Sequence, residues 1–194
     1  MNQARVLVQG YIKEWGDSGY HASSTTTLIT GDNYKIVCDP GINWDLLSKA
    51  LISEKLEPED IDWVFLTHTH IDNCFNMFRF PNAKIFDGKS IYEKDTERPH
   101  GGEIFGLDIE ILPTPGHTFD HASILIPTKE GVYAVAGDVF YWIADEEQKT
   151  DRKSLLEKKD LIAGVDHYAL LDSRKLLLQK ADFIIPGHGK VFKT

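Results

Sequence analysis

The chain has 194 residues, 42% of them hydrophobic, with 21 Lys and Arg against 30 Asp and Glu for a formal charge of −9. That length and composition predict one globular domain over 1–194, able to bury about two-thirds of its unfolded surface without disulfide staples. The acidic balance counts against attraction to nucleic-acid phosphates; no apolar run approaches the ~20 residues that span a bilayer; two cysteines and no apolar leader predict a reducing, cytoplasmic setting.

Strands are predicted near 6–12, 25–30 and 35–38, the last placing Cys38 in the core. A helix follows over 44–54, then strands near 64–66 and 83–86. The segment 87–106 has little periodicity and contains Arg98-Pro-His100-Gly-Gly102; it is predicted to be an irregular loop facing substrate. Strands return near 109–112, 123–126 and 132–136. Phe140-Tyr141-Trp142 either walls a pocket or fills core space. A helix over 153–159 carries Arg152-Lys153 and Lys158-Lys159 on a solvated face. The helix over 166–180 has Leu170, Leu171, Leu177 and Leu178 on one buried stripe. A last strand spans 183–185. Strands outnumber helices, which fits two sheets covered by helices.

The stretch His68-Thr-His70-Ile-Asp72-Asn73 follows directly on the apolar strand. Alternate residues of an extended segment project to one side, so His68, His70 and Asp72 are placed to converge on one ion. Imidazole and carboxylate are ligands of zinc and iron centres. The plain alternatives are strand-end histidines and Asp72 as a helix N-cap. Three other strands also deliver a His or Asp at their exits: Thr114-Pro115-Gly116-His117-Thr118, Gly137-Asp138 and Pro186-Gly187-His188-Gly189. Glycine there permits close approach or positive φ. Cys74 reads as packing rather than coordination. His121 is predicted on the surface in preference to an orienting role behind a ligand. His21 and His100 sit on loops that either reach the pocket rim or lie off it, and His167 reads as a helix surface residue.

Taken in order, His-x-His-x-Asp, Pro-Gly-His, Gly-Asp and Pro-Gly-His-Gly resemble the metallo-β-lactamase fold superfamily, over roughly residues 19–190. His21-Ala-Ser-Ser-Thr-Thr-Thr-Leu28, Gly137-Asp138-Val139-Phe140 and Ser173-Arg174 point to one subgroup within it. The resemblance implies an α+β fold, the αββα four-layer sandwich of two mixed sheets packed face to face with helices outside. It implies a first metal site of His68, His70 and His117, with Asp138 bridging to a second site that includes Asp72 and His188. The pattern departs at Asn73, where the superfamily has a second-site histidine. A neutral amide oxygen is a poor replacement for imidazole on zinc, so one well-filled zinc site and a weak second site are expected. The resemblance further implies a zinc hydrolase that uses a metal-bound hydroxide on an ester, thioester, lactone or phosphodiester in a small-molecule substrate, with Asp72 as general base. One rival is a mononuclear iron oxygenase of the persulfide dioxygenase type, with two histidines and Asp138 around iron(II). Another is a metal-binding module without turnover, against which an open coordination position argues. The fold by itself does not name the substrate.

Overall fold

The computed structural model describes residues 1–16, 19–160 and 162–194. In chain order its strands are β1 (Gln3–Val8), β2 (Tyr11–Trp15), β3 (Gly19–Ser23), β4 (Thr26–Thr30), β5 (Lys35–Cys38), β6 (Trp63–Phe65), β7 (Lys84–Phe86), β8 (Ser90–Glu93), β9 (Thr96–Pro99), β10 (Glu110–Pro113), β11 (Ala122–Pro127), β12 (Val132–Tyr141), β13 (Phe183–His188) and β14 (Phe192–Lys193). The α-helices are α1 (Trp44–Ser53), α2 (Ile71–Cys74), α3 (Arg152–Glu157) and α4 (His167–Lys180). One sheet has the order β1-β4-β5-β6-β7-β8-β9, a second β10-β11-β12-β13-β14, and β2 and β3 form a hairpin. The pairs β5–β6, β6–β7 and β12–β13 are parallel and their neighbours antiparallel, so both large sheets are mixed.

Side-chain alternation along the strands builds the layers. Ile36, Cys38, Phe65 and Phe86 of the first sheet pack with Ile111, Ile124, Ile126, Val135 and Ile185 of the second. Their neighbours in sequence point the other way. Val37, Val64 and Leu66 meet Leu47 and Leu51 of α1, while Leu125, Ala134 and Ile184 meet Leu155 of α3 and Leu170, Leu177 and Leu178 of α4. The result is the expected αββα sandwich. Each outer helix starts at a side-chain cap that satisfies free backbone N–H groups: Asn43 for α1, Asp151 for α3, and Asp166, which accepts from Tyr168 and Ala169 at 3.0 Å each, for α4.

The strand predicted over 6–12 is two strands, broken at Gln9 and Gly10, where the Gly10 N–H turns to Thr25 Oγ1 (3.0 Å). The segment 87–106 is not an irregular loop throughout: β8 and β9 form a hairpin with Lys94 at φ 58°. All four residues of β9 are exposed, so it has no buried face to write a period into the sequence, and it closes a sheet edge with charged residues. On α4, Leu170, Leu177 and Leu178 are buried as predicted, together with Ser173 and Arg174, while Leu171 is only half-buried. Phe140 and Trp142 are core residues. Lys158 is not on a solvated face: its ammonium pairs with Glu146 at 2.5 Å and lies 5.6 Å from the ring centroids of Tyr141 and Trp142. Among the described residues no helix is long and apolar enough to cross a membrane.

Candidate metal centre

Strand β6 ends at Phe65, and the chain runs through Thr67, His68 and His70 before turning into α2, whose N-cap is His70. The extended run therefore stops two residues before Asp72. His68, His70, His117 and Asp138 bring one ligand atom each to within 4.8 Å of one another. Asp72 is not in that group, which corrects the expectation that it shares an ion with His68 and His70. It faces His188 instead, Oδ2 to Nε2 at 3.3 Å.

Within the cluster, His70 Nδ1 lies 3.0 Å from His68 Nε2 and 3.1 Å from His117 Nε2. Asp138 Oδ2 is 3.4 Å from His117 Nε2 and 3.9 Å from His68 Nε2, while its Oδ1 is 3.6 Å from His188 Nε2. One carboxylate thus faces both histidine groups. Asp138 lies inside β12 rather than beyond its end. Gly137, at φ 49°, interrupts the register with β13 and turns the Asp138 side chain to the site. Gly187 makes room for it, since a Cβ there would stand 1.8 Å from Asp138 Oδ1.

The donor set fits a divalent cation. Ligands of tetrahedral zinc sit about 2.0–2.1 Å from the metal when they are imidazole nitrogens, hence about 3.3 Å apart, close to the separations found. The ring tautomers are fixed from behind. Thr67 Oγ1 donates to Asp39 Oδ2 (2.8 Å) and so accepts from His68 Nδ1 (3.0 Å), leaving the His68 Nε2 lone pair free to face the cluster. His117 Nδ1 donates to Asp160 Oδ2 (2.7 Å), which leaves its Nε2 in the same role. Asp138 Oδ1 is buried without a hydrogen-bond partner, and His188 Nε2 meets only carboxylate oxygens, at 3.3 Å from Asp72 and 3.6 Å from Asp138, an expense that a cation between them would remove.

The electrostatics divide the histidines: burial favours neutral His68, while, against burial, facing carboxylates raise His117 and, through Asp138 and Asp72, His188. Burial holds His68 well below the ordinary histidine range, with the neighbouring histidines adding to the effect. Burial alone would also lower His117, but its hydrogen bond to Asp160 and the charge of Asp138 outweigh this and raise it. Burial pushes Asp138 up, against the pull of His188 and His117. For Asp72 the upward push of burial is overcome by the hydrogen bond and charge of His188, so its carboxyl lies below the usual range and is ionised at neutral pH.

Several supporting residues carry no sequence motif. Asp160 is buried between α3 and α4 and also accepts from the Tyr141 hydroxyl (2.8 Å) and the Ile162 N–H (3.0 Å). Carboxylates that hold a metal-ligating histidine fix its orientation and raise its basicity. Asp160→Asn is therefore expected to weaken metal binding about 10- to 100-fold with an unchanged far-UV spectrum; chelator competition on the purified variant checks this. Asp39, at the end of β5, accepts both the Thr67 N–H (2.9 Å) and its hydroxyl.

The other candidates divide. His121 is buried, not on the surface: it stacks on His68 at 5.1 Å and bonds Thr114 Oγ1 through Nδ1 (2.9 Å). His100 is tied within its own loop to the Asp87 carbonyl and the Gly102 N–H and does not join the cluster. His21 is exposed beside Trp15 on the β2–β3 hairpin, and His167 is exposed on α4. Cys74 packs in the core under α1, its thiol near the Thr69 carbonyl, and Cys38 lies between the sheets. Asn73 is fully buried and its amide has no well-formed hydrogen bond, so it does not serve as a backbone-bonding helix-start residue.

Comparison with known proteins gives the same picture. The family model described as the metallo-beta-lactamase superfamily matches residues 20–106. Metallo-beta-lactamase domain-containing protein 1 of Xenopus laevis is 30% identical over 100% of this chain and 82% of its own length. The human protein of the same name is 33% identical over 82% of this chain, and the match spans only 59% of that relative. A crystal structure of a Thermotoga maritima protein grouped with the metallo-beta-lactamases is similar in fold over 100% of this chain and 99% of its own, with a TM-score of 0.74 and 19% identity. A structure in a di-iron-bound form is similar in fold over 88% of this chain and 89% of its own, with a TM-score of 0.63 and 19% identity.

Proposed function

The chain belongs to the metallo-β-lactamase superfamily, and on that premise we propose that it is a zinc-dependent hydrolase of a small molecule bearing an ester, thioester, lactone or phosphodiester-type bond. The observation that carries this reading is the convergence of His68, His70 and His117 nitrogens with the Asp138 carboxylate, two of the rings locked from behind. Neutral imidazoles with one carboxylate suit borderline zinc. When bound, the cation supplies Lewis acidity, lowering the pKa of a water to about 7 and polarising the scissile carbonyl or phosphoryl oxygen.

The protein's own groups do the rest. Asp72, ionised and held by His188, accepts the proton of the attacking water and orients its lone pair. Ile71 and Phe119, one residue after His70 and two after His117, are 62% and 85% exposed. As exposed apolar side chains close in sequence to the ligands, they are the candidates to meet a substrate with an apolar group beside the cleaved bond.

Asp72, Asp138 and His188 form the second ligand group, and Asn73 occupies the sequence position where the superfamily has a second-site histidine. Two carboxylates and one imidazole hold zinc less tightly than a nitrogen-rich set. Elemental analysis of protein purified without added metal is expected to give about one zinc per chain, with a second ion taken up only at higher free metal. Two tightly held zinc ions would refute the weak second site. Iron together with oxygen uptake on a persulfide would replace the hydrolase by an oxygenase, and metal without turnover on ester, lactone and phosphodiester panels would leave a binding module.

A further inference from the structure

Ser173 and Arg174 are adjacent residues of α4, both buried, and neither touches the ligand cluster. Ser173 Oγ donates to the Pro115 carbonyl (2.7 Å), two residues before His117. Arg174 Nε donates to the Val139 carbonyl (3.0 Å), one residue after Asp138, and its Nη1 donates to the Lys158 carbonyl, two residues before Asp160. The guanidinium lies over Phe140 at 5.8 Å and its Nη2 has no hydrogen-bond partner. No salt bridge joins Arg174 to a carboxylate among the described residues.

Stability alone is a poor account of this arginine. A buried cation with no direct salt bridge, drawn to the Asp160 charge only at longer range and with one nitrogen bare, is costly; an apolar side chain of similar volume is often as stable or more so. A planar guanidinium has another use: its donors lie in a fixed fork, so two carbonyls bonded to it are held at a set separation. Those two carbonyls belong to the strand carrying Asp138 and the loop carrying Asp160, the partner of His117. The serine next to it holds the turn carrying His117 itself.

We infer that the Ser173–Arg174 pair of α4 is a positioning device for the metal centre, registering from behind the sheet the three backbone segments that carry His117, Asp138 and Asp160. The pair acts only through those segments. The inference rests on the cluster holding a cation. It makes metal affinity, rather than fold stability, the quantity these side chains control.

The test uses Arg174→Met and Ser173→Ala in the full chain, stripped of metal and titrated with Co²⁺ against a chromophoric chelator. Thermal unfolding of the metal-free proteins and the visible spectra of the cobalt forms are measured alongside. Expected results are a loss of cobalt affinity of about tenfold or more in Arg174→Met, a smaller loss in Ser173→Ala, and altered cobalt ligand-field bands in both. Wild-type affinity and spectra in both variants, with only the metal-free melting temperature lowered, would overturn the inference and leave the pair as scaffolding. If Arg174→Met does not fold, Ser173→Ala decides by the same criteria. Wild-type protein that takes up neither cobalt nor zinc would instead bring down the metal reading, and this inference with it.

Discussion

Replacing Asp72 by alanine should lower hydrolysis about 10²- to 10⁴-fold, the usual contribution of a positioned general base, while the ion held by His68, His70 and His117 stays bound. The geometry separates the two roles. The Asp72 carboxylate lies outside the four-residue cluster and faces His188 at 3.3 Å. It is partly accessible, its side chain 23% exposed, whereas Asp138 is nearly sealed at 5%. A group that collects a proton from water must reach water, and Asp72 does. Its lowered pKa keeps it ionised at neutral pH. The measurement pairs steady-state rates on an ester and a lactone panel with zinc content of the same preparation. Full activity in Asp72→Ala would remove it from the chemistry, and loss of all zinc would make it a ligand of the first ion.

How far the site could be read from sequence depends on how its residues are spaced. His68, His70 and Asp72 stand out because they are crowded into one stretch, and His117 and His188 because each sits in a Pro-Gly-His turn. The alternation of β6 does not carry past His70, where the backbone caps α2 and the side-chain direction changes, so Asp72 faces His188 rather than His68 and His70. Asp160 is a single carboxylate between two helices, 43 residues from the ring it holds, and no local pattern marks it. Arg174 is apparent as a letter, but its role follows from which carbonyls it meets, and the backbone has no sequence signature. The same rule governs the fold. The strand over 35–38 is largely buried and falls where expected, while the one expected over 183–185 starts at Phe183 but runs on to His188. The β8–β9 hairpin is polar and exposed at a sheet edge, so hydrophobic period had nothing to record there. Burial of His121 was hidden for a related reason: the ring that covers it, His68, comes from another strand end, distant in sequence, although its polar partner Thr114 is close in sequence.

Two buried titratable groups behind the cluster should give the metal-free protein opposite pH responses, separable by single substitutions. Burial forces His121 down to about 3, with the nearby His117 and His70 adding to the shift. Below its ordinary value of 6.5 the unfolded chain binds a proton that the folded one refuses. Stability from this residue is complete above about 6.5 and drains by roughly 1.4 kcal/mol per pH unit as pH falls toward 3. Asp39 has the opposite sign. Burial raises its carboxyl to about 7, against the two hydrogen bonds from Thr67. Between its ordinary 3.8 and about 7 the folded state holds the extra proton, so stability falls as pH rises through that window, with the same slope. In urea unfolding of chelator-treated protein, His121→Asn should gain on wild type as pH is lowered from 6.5 to 4, and Asp39→Asn should gain on wild type as pH is raised from 4 to 7. Each substitution also carries a constant cost in lost packing or hydrogen bonding, so the slope and not the offset is the observable. Parallel pH profiles for wild type and His121→Asn would mean the imidazole takes up its proton in the folded state, and that its Nε2 finds a partner once the metal is gone.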